Sequence, residues 1–132
     1  MLLDPELAVR TWLQAQLGPG VRCVTETPAK LAEACPLVSV EALGGDDPAP
    51  VVDRAVLDIT AYVAGKDEAR GAARALALQV KDLLRFHLPG SAVTGGAVSK
   101  VEIASGVMWQ PYDNTTLRRF HASYRVVFTT HS

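Results

Sequence analysis

Hydrophobic and polar positions alternate from Arg54 to Ala64. Ala55, Leu57, Ile59, Ala61 and Val63 fall on one face. Arg54, Asp58, Thr60 and Tyr62 fall on the other, with Val56 the exception. A period of two predicts a strand with one buried face. From Lys66 the period changes. Ala69, Ala73, Leu76, Val80, Leu83/Leu84 and His87/Leu88 recur every three or four residues, an apolar stripe along one long helix from Asp67 to Leu88. Pro89-Gly90 ends it.

The other elements are read as layers against this pair. Asp4-Pro5-Glu6 is a helix start: a capping carboxylate, a proline suited to the first helical position, and an acid at the positive end of the dipole. Leu7, Val9, Trp12, Leu13 and Leu17 give this helix an apolar face, and Gly18-Pro19-Gly20 stops it. Val21–Thr25 is a short strand. Pro28–Cys35 is either two helical turns capped by Thr27 or a loop. Leu37–Leu43 is a second strand. Gly44–Pro50, with two glycines, two acids and two prolines, reads as an exposed acidic loop. Ser91–Gly96 is a loop of small residues. Ala97–Trp109 is a strand with Val101, Ile103, Val107 and Trp109 on one face, and Gly106 marks a bulge or bend. Gln110–Arg119 is a polar connection, and Phe120–Thr130 a strand with Phe120, Ala122, Tyr124, Val126 and Phe128 facing in.

Lengths set the topology. The helix would be about 33 Å long at its standard rise, and the strand before it about 35 Å. The helix therefore returns along the full sheet, and the strand from Ala97 runs parallel to the strand from Asp53 in a right-handed crossover. The Leu37 and Arg54 strands pair antiparallel, as do the Val98 and Phe120 strands. The expected class is α+β, an α/β sandwich. Its sheet is mixed and largely antiparallel, with one long and one shorter helix packed on one face. The loops Gly44–Pro50 and Gln110–Arg119 should then lie at opposite ends.

Composition narrows the function without naming it. With 132 residues, 48% apolar and 20% charged, the chain fits one domain, residues 1–132. A net charge of −1 lacks the basic excess of a general nucleic-acid binder. No window approaches the ~20 apolar residues of a bilayer span. Met1-Leu2-Leu3 meets Asp4 and Glu6 at once, unlike a signal peptide, so the expectation is a soluble, unsecreted protein made in a cytoplasm. Cys23 and Cys35 match no zinc or redox spacing and read as reduced, partly buried thiols.

Catalytic chemistry finds no constellation. His87, His121 and His131 stand in no metal spacing. His87 suits a helix C-terminus, where a cation meets the dipole. Gly90–Gly96 is glycine-rich, yet it follows a helix and lacks the Lys-Ser/Thr end of a phosphate loop. No enzyme, metal or cofactor is expected. Two surfaces remain. Arg70, Arg74, Lys81 and Arg85 line one side of the long helix, either as a solvated face or as a contact for an acidic partner or passing DNA. Trp109-Gln110-Pro111-Tyr112-Asp113-Asn114 is the other. Trp109 can cap the core, whereas Tyr112 on a polar loop is of the type favoured in interfaces.

The layout as a whole resembles a known family. An acid-capped helix comes first, then the strand "DRAVLDITAYVAG", the helix "DEARGAARALALQVKDLL" and the tail "VSKVEIASGVMWQPYDN…RRFHASYRVVF". This resembles the tail terminator (tail completion) proteins of long-tailed siphophages, especially those infecting actinobacteria. The Ala-rich, Lys-poor composition agrees with a high-GC host. The resemblance implies a small subunit of a hexameric ring at the head–tail junction of a virion. Such a ring sits on the last ring of tail tube protein, stops tube polymerisation, and presents a surface to the head–tail connector of the neck. DNA would pass through the lumen without sequence-specific binding, and no membrane is involved. The matching segments are the central strand and helix and the loop Trp109, Tyr112, Asp113, Asn114 with Arg118 and Arg119. Asp46 and Asp47 have no family counterpart and would mark the other end. The basic helix face would line the lumen or meet an acidic neighbour. Two other classes fit less: a head–tail connector of the neck, and a small ligand-binding or regulatory α+β module, which needs a pocket with convergent polar groups.

Overall fold

The computed structural model describes residues 3–43, 54–110 and 116–130. Its elements are α1 (Pro5–Leu17), β1 (Arg22–Val24), α2 (Leu31–Ala34), β2 (Leu37–Leu43), β3 (Arg54–Ala64), α3 (Asp67–Asp82), β4 (Ala92–Val93), β5 (Gly96–Trp109) and β6 (Leu117–Thr130). A π turn, Leu83–His87, extends α3. The six strands form one sheet in the order β1-β2-β3-β6-β5-β4. β2 and β5 each pair antiparallel with their neighbours β3 and β6, β3 pairs antiparallel with β6, and β1 runs parallel to β2. β3 and β5 are therefore parallel to each other with β6 between them, the crossover expected from the lengths.

The apolar faces explain the layers. Leu57, Ile59 and Ala61 of β3, Val38 and Val40 of β2, and Ala122, Tyr124, Val126 and Phe128 of β6 point to one side of the sheet. There they bury with Val9 and Leu13 of α1 and Ala73, Val80, Leu84 and Leu88 of the long helix. The stripe read from the sequence is the buried one. Asp4 caps α1 as expected, accepting from the Glu6 and Leu7 N–H groups at 3.1 and 3.3 Å.

A second, smaller core lies on the opposite face. Leu31 of α2 packs there with Leu37, Tyr62 and Leu117. The alternation of β2 and β3 requires this, because Leu37 and Tyr62 are register partners on the face that α1 and α3 leave bare. Within Pro28–Cys35 only Leu31–Ala34 is helical, and the residue before it is Lys30, so Thr27 is not its cap.

Two boundaries differ from the sequence reading. Ser91–Gly96 contains β4, whose Ala92 and Val93 pair with Ala97 and Gly96. β6 starts at Leu117, so Arg118 and Arg119 belong to a strand, opposite Val63 and Tyr62, and not to the connection. Gly106 does fall in an irregularity: three register shifts interrupt β5, the last between Ser105 and Met108. At the turn from β3 into α3, Gly65 has φ +134, and a Cβ there would meet Ala69 Cβ at 2.9 Å, so the link needs glycine.

α1 is tied to the sheet margin by one row of polar residues. Glu6, Arg10 and Gln14 are four apart, hence on one side of the helix. Glu6 Oε2 accepts from the Ala42 N–H at 2.6 Å and Arg10 Nε donates to the Cys23 carbonyl at 2.9 Å. Gln14 Nε2 donates to the Gly18 and Val21 carbonyls, and its Oε1 accepts from the Cys23 N–H. The row gives partners to backbone groups at a margin where β1 is only three residues long.

Candidate docking surfaces

The strand directions set the starts of β3 and β6 apart. Arg54 pairs with Val127 and Ala64 with Leu117, so the start of β3 and the start of β6 are at opposite ends of the sheet. The segment before β3 leaves from one end and the segment before β6 from the other. Asp46 and Asp47, and likewise Tyr112, Asp113 and Asn114, lie outside the described residues.

Four sequence candidates stand at the end where β6 begins, and two of them, Arg70 and Trp109, touch. Trp109, last residue of β5, meets Phe120 edge-on with centroids 5.4 Å apart. The Arg70 guanidinium lies 4.7 Å above the Trp109 ring. Arg119 Nε donates to the Gln110 carbonyl at 3.4 Å, and Arg118 Nη1 donates to the Leu117 carbonyl at 2.9 Å. Trp109 closes the core with one edge, as the sequence reading allowed, and carries a cation on one face. The structure brings Arg70 and Trp109 together from separate motifs. It does not bring Arg74, Lys81 or Arg85 to this end.

The long helix carries the other cations. Arg70, Arg74 and Arg85 are exposed and Lys81 is half-buried. The Arg70–Trp109 contact shows that this side of α3 faces the β5 flank. Below it, Arg85 lies 5.1 Å from the Phe86 ring, which is 65% exposed.

The face of the sheet opposite α1 and α3 holds a polar network that strand alternation alone does not reveal. Asp58 Oδ1 contacts His121 Nε2 and accepts from Ser123 Oγ at 2.7 Å. The signal was present, since Asp58, His121 and Ser123 all read as outward residues, but only the β3–β6 register places them side by side. Both partners meet the same carboxylate oxygen, and Ser123 Oγ donates to Asp58. The cluster ties β3 to β6 and lacks a serine poised against the imidazole for nucleophilic attack. Further along this face Glu102 meets Lys100 Nζ at 2.7 Å and Arg125 Nη1 at 3.2 Å, and these two cations hold its carboxyl below the usual range.

Buried titratable groups are structural. Burial pushes the Cys23 thiol up to about 11, against a smaller opposing effect of Arg10, and raises Cys35 as well. Both cysteines are free. Burial, then the Asp82 carboxylate, pushes the Tyr124 phenol from 10.0 up to about 12. The neutral phenol is favoured in the folded chain, so the unfolded chain ionises first. Stability is full below about pH 10 and falls as pH rises toward 12, by about 2–3 kcal/mol in all. Urea unfolding at pH 9 and pH 11.5 should show that loss in the wild type and a smaller one in Tyr124→Phe. Equal slopes would remove Tyr124 as the cause.

Two shallow depressions flank α1. One of about 530 Å³ is lined by Gln14, Ala15, Gly18, Pro19, Val21 and Arg22, and one of about 360 Å³ by Leu7, Arg10, Cys23, Val24, Thr25 and Glu26. Gln14 and Arg10 are already bonded to backbone, so the polar groups do not converge on a ligand. Among the described residues, no group of three or more His, Cys, Asp or Glu is placed to hold a metal ion, and no helix is long and apolar enough to cross a membrane.

No protein-family model matches the chain, and no curated protein matches it. Among solved structures, it is similar to a chain described as "Virion of native gene transfer agent (GTA) particle". The TM-score is 0.55 with 20% identity, over 88% of this chain and 83% of that chain. At that identity the likeness is one of fold.

Proposed function

We propose that the chain is a structural virion protein that caps a phage tail tube as a ring, most simply a hexamer. The ring ends tube polymerisation and forms the joint to the head–tail connector. The observation that carries this reading is the fold shared with a chain of a phage-like virion particle over 88% of this chain. It agrees with the layout of a siphophage tail terminator described above, a single unit over residues 1–132 with two chemically different ends. In this reading the chain catalyses nothing and takes no cofactor, and DNA passes through the lumen unread. The end built from Trp109, Arg118 and Arg119, with Tyr112, Asp113 and Asn114 in the adjoining segment, meets one partner along the tail axis. The end that bears Asp46 and Asp47 meets the other. A neck connector shares the support from the fold, and attachment to tail tubes that lack heads separates the two.

The test is Arg118→Glu with Arg119→Glu. Both arginines are half-buried and hydrogen-bonded to backbone carbonyls, so the double reversal should cost about 1–3 kcal/mol, and native circular dichroism is checked before the variant is used. Phage complemented with the folded variant should make tails of irregular length that fail to join heads. Uniform tails on filled heads would remove this end from the interface.

A further inference from the structure

The two edges of the sheet are finished differently. At the β1–β2 edge α1 takes outward backbone groups: Glu6 the Ala42 N–H, Gln14 the Cys23 N–H and Arg10 the Cys23 carbonyl. The other edge is β5. β4 covers only Gly96 and Ala97, and the residues just before β4 bond Val98. The Val98 N–H donates to the Ser91 carbonyl, and its own carbonyl accepts from the Gly90 N–H. From Ser99 onward β5 is the outermost strand.

The ladder fixes which groups β5 turns outward. The Val127 carbonyl accepts from Ser99 Oγ at 3.2 Å and the Arg119 carbonyl from the Gln110 N–H at 3.2 Å, so odd residues of β6 face β5. The even residue Thr116 gives its carbonyl to the Gly65 N–H, on the β3 side. The β3–β6 register is unbroken, so the alternation holds along β6. Val101 stands opposite Val126 and Ile103 opposite Tyr124, both even. Their N–H and C=O groups therefore point away from β6, two donors and two acceptors along one edge. Among the described residues, none of these groups has a hydrogen-bond partner. Lys100–Ile103 pair one to one with β6, and the register shifts on either side bound this straight stretch.

We infer that this stretch takes an extended strand of a different protein, added to the sheet at its open edge. The side chains set the composition of that strand. Val101 and Ile103 lie on the α3 side of the sheet; Ile103 is 38% exposed, and the turn that bears exposed Phe86 packs on β5. Residues opposite Val101 and Ile103 are therefore β-branched and apolar. On the other face Glu102 already holds Lys100 and Arg125, so the residue opposite Glu102 is neutral and the one opposite Lys100 acidic. A second copy fits poorly. Its Ala42 and Cys23 groups are taken by α1, and antiparallel pairing of β5 with β5 that fills every outward group sets Glu102 against Glu102. The inference is independent of the tail-capping reading.

The probe is the peptide acetyl-Thr-Val-Thr-Val-Glu-amide, added to the full chain at up to about 5 mM. Amide hydrogen exchange is followed by NMR. In the free chain Val101 and Ile103 should exchange at least about tenfold faster than Glu102, whose N–H faces β6. The peptide should bind with a Kd of about 1 mM and slow both amides at least about tenfold at saturation. N-methylation of both valines leaves the protein intact and should weaken binding at least about tenfold. Ile103→Pro, checked for native circular dichroism, removes one outward donor and should weaken binding as well. Val101 and Ile103 amides already protected in the free chain, a peptide that leaves them unprotected, or a methylated peptide that binds equally would each overturn the inference. Protection that grows with the concentration of the chain alone would give the edge to a second copy, and would overturn it too.

Discussion

Gly96→Ala should cost about 3–5 kcal/mol, a large part of the stability of a domain this size. Gly96 pairs with Val93 on one side and Thr130 on the other. A Cβ there would overlap the Thr129 carbonyl oxygen and press on Leu3 Cδ1 at 3.2 Å. The Leu3 side chain can shift; the backbone carbonyl belongs to the β6 ladder and cannot. The methyl group must therefore part β5 from β6 where β4 and Leu3 close the core, or push β4 away. Gly71→Ala is the control. Nothing lies within 4 Å of a Cβ at exposed Gly71, in the middle of α3. Alanine there should stabilise by about 1 kcal/mol through helix propensity. Thermal unfolding of both separates a steric cause from a general intolerance of substitution. A Gly96→Ala protein that melts with the wild type would contradict the close packing of this seam.

Leu84→Ala should cost about 3 kcal/mol and lower Tm by about 10 °C, whereas Phe86→Ala should change stability by no more than about 0.5 kcal/mol. The two are neighbours in the π turn and opposite in environment: Leu84 is 0% exposed and Phe86 is 65% exposed. The Leu88 N–H donates to the Leu83 carbonyl at 2.9 Å, the wider repeat that ends the helix with Leu84 and Leu88 both in the core. The larger residue therefore matters less to folding. If Phe86→Ala were the more damaging, the turn would be packed the other way round.

Periodicity made most of this fold legible. β3 and α3 have long, unambiguous patterns, and their matched lengths implied that β5 runs parallel to β3. Local pattern failed where elements are short or polar. β4 has two residues, and a two-residue strand has no period. Arg118 and Arg119 read as loop because adjacent charges break alternation, yet the β3 ladder pairs them with Val63 and Tyr62. The Glu6, Arg10 and Gln14 row was hidden because polar residues on a helix read as solvent-facing until the margin of a sheet is set beside them. Of the candidate surfaces, the basic stripe was visible as spacing, but its place on the β5 flank needed Arg70 over Trp109.

The terminator reading is tested most directly by adding the purified chain to tail tubes that lack heads, and measuring mass and negative-stain images with and without tubes. The expected result is a ring of copies, six in the simplest case, at one end of each tube, after which added tube protein no longer extends that end. Compact single copies that ignore the tubes, with tubes that keep growing, would contradict it.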